Sequence, residues 1–90
     1  MIIKFENEFG EQREIGKAAT REEANKIIHQ FLKEHKYKSY YWRYAYHPNF
    51  IWIDVGSWSE FFYIYPETEE EKELLKVGWD KKEDGIIKNY

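Results

Sequence analysis

The chain is predicted to form one α+β domain with a single antiparallel sheet, ordered β-β-α-β-β-β-α, with the main helix packed on one face. Three observations predict it. The tetrad Thr20-Arg21-Glu22-Glu23 is a capping box, and after it Ala24, Ile27, Ile28, Phe31 and Leu32 recur at helical spacing. Three strand-like segments between Tyr40 and Tyr65 are parted only by Pro48-Asn49 and by a break at Gly56-Ser57, connections short enough to force antiparallel neighbours. Ninety residues supply one core and no second domain.

Taken in order, residues 2–9 alternate, with Ile3 and Phe5 on one parity and Glu6 and Glu8 on the other, as a half-buried strand does. Gly10-Glu11-Gln12 supplies a turn. Arg13–Ala19 reads as the return strand, with Ile15 its one strong apolar residue and a bulge expected at Gly16. The capping box then predicts that the Thr20 hydroxyl accepts from the Glu23 amide while Glu23 reaches back to the Thr20 amide. The helix is expected to end near His35 or Lys36, where cations complement its negative end. Strands follow over Tyr40–His47, Phe50–Val55 and Ser59–Tyr65. Thr68-Glu69-Glu70-Glu71 is a second capping box, opening a short acidic helix to about Lys76, with Gly78 as its C-terminal cap and Trp79 folding back onto the body. The domain spans residues 1–80, and 81–90 form a polar tail expected to be partly disordered.

Composition removes several function classes. There is no cysteine, hence no disulfide and no thiolate chemistry. His29, His35 and His47 lack metal-ligand spacing and are expected in capping or surface roles. Neither a P-loop nor a nucleophile elbow is present. Asp54 and Glu60 flank a tight turn, the minimal geometry for an acid–base pair, but carboxylates at hairpin ends are usually solvated. A non-enzymatic protein without metal or cofactor is therefore expected. No run is long enough for a membrane span and the start lacks a signal-peptide pattern, so a cytoplasmic location is expected. The net charge of −3 divides unevenly: residues 1–53 are mildly basic and 54–90 acidic.

Aromatic residues carry the functional reading. Thirteen of the eighteen lie between Tyr37 and Tyr65. One helix cannot cover rings on both faces of a sheet, so some are expected to face outward and form a recognition surface. Ile51, Ile53 and Val55 are expected to meet the helix, with Phe50, Trp52 and Asp54 pointing away. The surface is expected to centre on Tyr40, Trp42, Tyr44, Trp52 and Trp58, with Arg43, Asp54 and Glu60 supplying polar contacts and Lys38 at the rim. The alternative has the second helix, Trp79 and the first strand covering these rings.

Gly56-Ser57-Trp58-Ser59-Glu60-Phe61-Phe62-Tyr63, preceded by Trp52-Ile53-Asp54-Val55 and by Lys38-Ser39-Tyr40-Tyr41, resembles small phage and prophage accessory proteins of Gram-positive bacteria. The likeness covers about residues 20–65 and leaves out the acidic tail. It implies a protein that captures and inhibits a host macromolecule, such as an immune nuclease or signalling enzyme. Two further readings stand beside it: stacking of single-stranded nucleic acid or a nucleotide signal on the same rings, and self-association as a homodimer or structural component.

Overall fold

The structure is a computed structural model that describes residues 1–35, 37, 40–57, 59–77 and 85–87, of which 76, 77 and 85–87 as backbone only. The chain runs β1 (Ile2–Glu6), β2 (Gln12–Lys17), α1 (Arg21–Glu34), β3 (Tyr40–His47), β4 (Phe50–Asp54), β5 (Phe61–Tyr65), α2 (Glu69–Val77) and β6 (Gly85–Ile87). The strands lie in the order β2-β1-β5-β4-β3-β6 and every pairing is antiparallel. The predicted α+β class and element order hold. The addition is β6, three residues from the expected polar tail that pair with Tyr40–Trp42 at one sheet edge. The expected cap at Gly78, the fold-back of Trp79 and the rest of that tail lie outside the described residues. Among the described residues no helix is long and apolar enough to cross a membrane.

Local chemistry sets the element ends. Asn7 Oδ1 accepts from the Phe9 and Glu11 amides (2.9 and 3.0 Å) and Gly10 takes φ +78°. β1 therefore stops at Glu6 rather than residue 9, and Phe9 stands 78% exposed on the turn. Ile3 faces Gly16 while Lys4 faces Glu14, so Ile15 is the extra residue of the expected bulge. Gly16 lets α1 approach closely there, since a Cβ would lie 3.1 Å from Ile27 Cγ2.

Both helix starts use their threonine as predicted: Thr20 Oγ1 accepts from the Glu23 amide and Thr68 Oγ1 from the Glu71 amide, each at 3.1 Å. The return bond differs. Glu23 accepts from Ala19 N (3.2 Å) and Glu71 from Glu67 N (2.8 Å), each one residue upstream of the cap. Glu71 also receives the Met1 ammonium at 2.9 Å, and that bond, with the Glu67 amide, holds its carboxyl below the usual range. At the far end of α1, His35 Nδ1 lies 2.8 Å from the Phe31 carbonyl, the predicted capping role.

One core lies between the sheet and its helices. Ile3, Phe5, Ile51, Ile53, Phe62 and Ile64 point into it from the strands, with Ala24, Ile28 and Leu32 from α1 and Leu75 from α2. α2 thus shares the face that α1 covers instead of extending over the opposite one. Its Leu75 and Lys72 sit beside Tyr46, Ile51 and the Pro48 turn.

Gly56 fixes the end of β4. Its φ is +89°, and a Cβ would come within 2.5 Å of the Tyr41 ring. Backbone strain and the ring clash add, so Gly56→Ala should cost about 2 kcal/mol or more, read as a lower urea midpoint with an unchanged slope.

Candidate interaction surface

The sheet has one face turned from both helices, and the pairing register determines its membership. Pro48-Asn49 sets His47 opposite Phe50, which puts Ala45 beside Trp52 and Arg43 beside Asp54. Across β4 and β5, Trp52 lies beside Tyr63 and Asp54 beside Phe61. The rows continue into β1, where Tyr65 neighbours Ile2, Tyr63 neighbours Lys4 and Phe61 neighbours Glu6. Directly paired residues project to the same side. The outward set is therefore Tyr41, Arg43, Ala45 and His47 from β3, with Phe50, Trp52, Phe61, Tyr63 and Tyr65 from β4 and β5.

These rings pack in two neighbouring groups, His47 with Phe50, Tyr63 and Tyr65, and Trp52 with Phe61. His47 stacks on Phe50 at 4.3 Å and 8°. Phe50 meets Tyr63 edge-on at 5.4 Å, and Tyr63 and Tyr65 lie 5.8 Å apart at 18°. Trp52 packs on Phe61 at 5.2 Å. Hydrogen bonds fix the first group at its margin: Tyr63 Oη donates to Glu6 Oε1 (3.2 Å) and Tyr65 Oη to Gln12 Oε1 (3.0 Å). Partial burial, then the Glu6 charge and its hydrogen bond, push the Tyr63 phenol up to about 12, so it stays a neutral donor. The five rings of β4 and β5 are half-buried against each other, whereas Tyr41 is 45% exposed.

Charges on this face are matched. Arg43 Nη2 donates to Asp54 Oδ2 at 2.8 Å and its guanidinium lies 5.8 Å from the Tyr41 ring centre. Asp54 Oδ1 also accepts from the Gly56 amide at 2.8 Å, which leaves the carboxylate buried though it sits at a strand end. Lys4 Nζ lies over the Tyr65 ring at 5.3 Å, and Lys4 is paired with Glu14 across the ladder.

Comparison with known proteins found no match. No family model, curated protein or solved structure is significantly similar to this chain.

Of the sequence-predicted site residues, Arg43, Trp52 and Asp54 come together on the outer face. Tyr40, Trp42 and Tyr44 do not. Tyr44 pairs with Ile53, so these three point into the core. Tyr40 and Trp42 are sealed there at 6% and 3% exposure, and the Tyr44 ring lies under the Arg21 guanidinium at 4.6 Å. Glu60 is tied down in the turn, accepting from Tyr37 Oη at 2.6 Å. Asp54 and Glu60 thus serve different partners. Trp58 and Lys38 lie outside the described residues. His29 refines another expectation: it is half-buried rather than free on the surface, stacking on Trp42 at 4.3 Å with Nδ1 2.6 Å from Tyr40 Oη.

Sequence reasoning passed over Phe50, Phe61, Tyr63 and Tyr65 as site members, although they form the middle of the outer face. A signal for them existed. A two-residue loop places the flanking residues opposite each other, so the outward parity of one strand follows from that of the other.

Proposed function

We propose that this chain is a non-catalytic binding protein whose outer sheet face captures a partner protein and blocks it, in the manner of a phage-type inhibitor of a host defence enzyme. The observation that supports this reading is the set of rings Phe50, Trp52, Phe61, Tyr63 and Tyr65, partly open to water on a face away from both helices. Rings already packed and hydrogen-bonded lose little freedom on docking, and Trp and Tyr are the side chains that dominate interface energetics. Ala45 leaves a low point beside Trp52, flanked by Arg43 and His47, where a partner side chain can seat.

The charge balance favours a protein over a nucleic acid. A stacking platform for single strands needs surplus cation to neutralise phosphate. Here Arg43 is neutralised by Asp54, and on the β1–β2 side Lys4 shares its face with Glu6 and Glu14. The inhibitory role is what the resemblance to phage accessory proteins adds.

Capture from a Gram-positive host lysate, followed by titration of the purified partner, tests the reading. Trp52→Ala and Tyr63→Ala should each weaken binding by about 2 kcal/mol, roughly thirtyfold, while the circular dichroism spectrum stays that of the parent. Affinity indifferent to both substitutions would remove the outer face from consideration. Oligonucleotide binding at low salt that collapses as salt is added would point to the stacking alternative instead.

A further inference from the structure

A separate surface lies at the edge of β2, with which no second strand besides β1 pairs among the described residues. Asn7 donates to the Glu11 carbonyl at 2.9 Å, so Glu11 and Arg13 turn their backbone groups toward β1. Gln12 and Glu14 therefore turn theirs outward. Residues 11–14 are exposed and hold none of the lysine, proline or bulge that usually blunts a strand edge. The bulge comes only after them, at Ile15. A short run of backbone is thus left open to another strand.

The side chains along this run complement themselves. Arg13 pairs with Phe5 and projects to the helix side, where its guanidinium lies over Phe31 at 5.5 Å. Glu11, two residues earlier, falls on the same side. Among the described residues no carboxylate pairs with Arg13 and no cation with Glu11. That side also carries a groove of about 390 Å³ walled by Ile15, Ile27 and Phe31, each only partly buried. Phe9 stands exposed on the adjoining turn. Each chain therefore presents a cation beside a hollow, and an anion beside an apolar knob.

We propose that two copies of this chain form a twofold dimer by antiparallel pairing of their β2 edges, with Gln12 opposite the partner's Gln12. One register meets three conditions. The two Gln12 residues turn outward backbone groups toward each other and exchange hydrogen bonds, while Glu14 falls opposite the partner's Gly10, so no carboxylates meet. Glu11 falls opposite the partner's Arg13, twice over, at the closer kind of pair, where Cα atoms lie about 4.5 Å apart. Phe9 is carried past the end of the ladder to the partner's Ile15, at the mouth of the groove. The same patch serves both chains, so assembly closes at two. Paired strands also set both outer faces on one side of the joined sheet, although the dimer stands without the role proposed for that face.

Sedimentation velocity of the intact chain over a concentration series tests this. It should show monomer and dimer in exchange, with a dissociation constant on the order of 0.1 mM, as suits a small interface. Glu11→Arg sets arginine against arginine and should weaken dimerisation about tenfold or more. Arg13→Glu should do the same by setting two glutamates together. The double variant Glu11→Arg/Arg13→Glu restores the opposed charges and should recover the parent's dimerisation, which identifies the register. Phe9→Ser should weaken it about tenfold. Trp52→Ala should leave it unchanged, which separates this edge from the aromatic face. Should the Arg13 variants fail to fold, Glu11→Arg and Phe9→Ser, both at exposed positions, still decide. The proposal is overturned by a chain that stays monomeric at roughly 1 mM, or by species larger than a dimer. A dimer indifferent to Glu11→Arg or Phe9→Ser, one lost in Trp52→Ala, or a folded double variant no better than the single ones also overturns it.

Discussion

Trp42→Ala should lower the stability of the domain by about 3–5 kcal/mol, the range found when a large ring is removed from a core. Trp42 is 3% exposed, stacks on His29 and sits on the β3 face that carries Tyr40 and Tyr44 into the core. Removing it withdraws the surface against which α1 rests at this end of the sheet. A domain of this size has only about 5–10 kcal/mol to lose, so the variant should melt far below the parent or unfold at 25 °C. Urea unfolding followed by tryptophan fluorescence measures it. The contrast with Trp52 matters most: two tryptophans on adjacent strands, one carrying the fold and the other the surface. A Trp42→Ala protein as stable as the parent would mean that the β3 face has been assigned to the wrong side.

Acidification should destabilise the fold well above the carboxylate range. Burial between Tyr40 and Trp42 lowers His29 from its ordinary value of 6.5 to about 4. The unfolded chain takes up a proton as pH falls through 6.5, whereas the folded chain does not until about 4. Stability from this group is therefore complete above the ordinary histidine value and is lost progressively down to the folded one. Linkage sets the loss at roughly 1–3 kcal/mol, the lower part applying because the ring is only half-buried. Lys26 and Lys33 line the same shallow cavity as His29. Unfolding free energies at pH 7 and pH 5 should thus diverge in the parent and converge in His29→Gln. Equal pH slopes in the two proteins would assign the effect to other groups. Glu71, with its carboxyl held low, contributes a loss of the same sign only at still lower pH.

Much of the fold was legible because local chemistry and hydrophobic period agree. Thr20, the stripe Ala24–Leu32 and the Pro48-Asn49 turn each point to one structure, and α1 and β3 have the predicted extents. The site was less legible for one reason. β3 has rings on both parities, so the apolar pattern does not say which side faces the helix. Tyr40, Trp42 and Tyr44 look like a surface by residue type, yet the odd-numbered residues of β3 are the outward ones once His47 is set against Phe50. What decides between them is the neighbour: Ile51, Ile53 and Val55 must be buried, and the register ties the even-numbered residues of β3 to that side. His29 was hidden similarly, because a histidine on a helix gives no hint that an indole will cover it. β6 had no signal at all, since two isoleucines in a polar tail fall short of a strand pattern.

The position of β1 has a kinetic consequence. This first strand lies between β2 and β5, with Ile3 paired to Ile64. During synthesis it leaves the ribosome long before its second neighbour exists, and a lone β1–β2 hairpin is only marginally stable until the meander arrives. Closing that long loop makes assembly of the sheet a late and concerted event, with relaxation expected in milliseconds to seconds rather than microseconds.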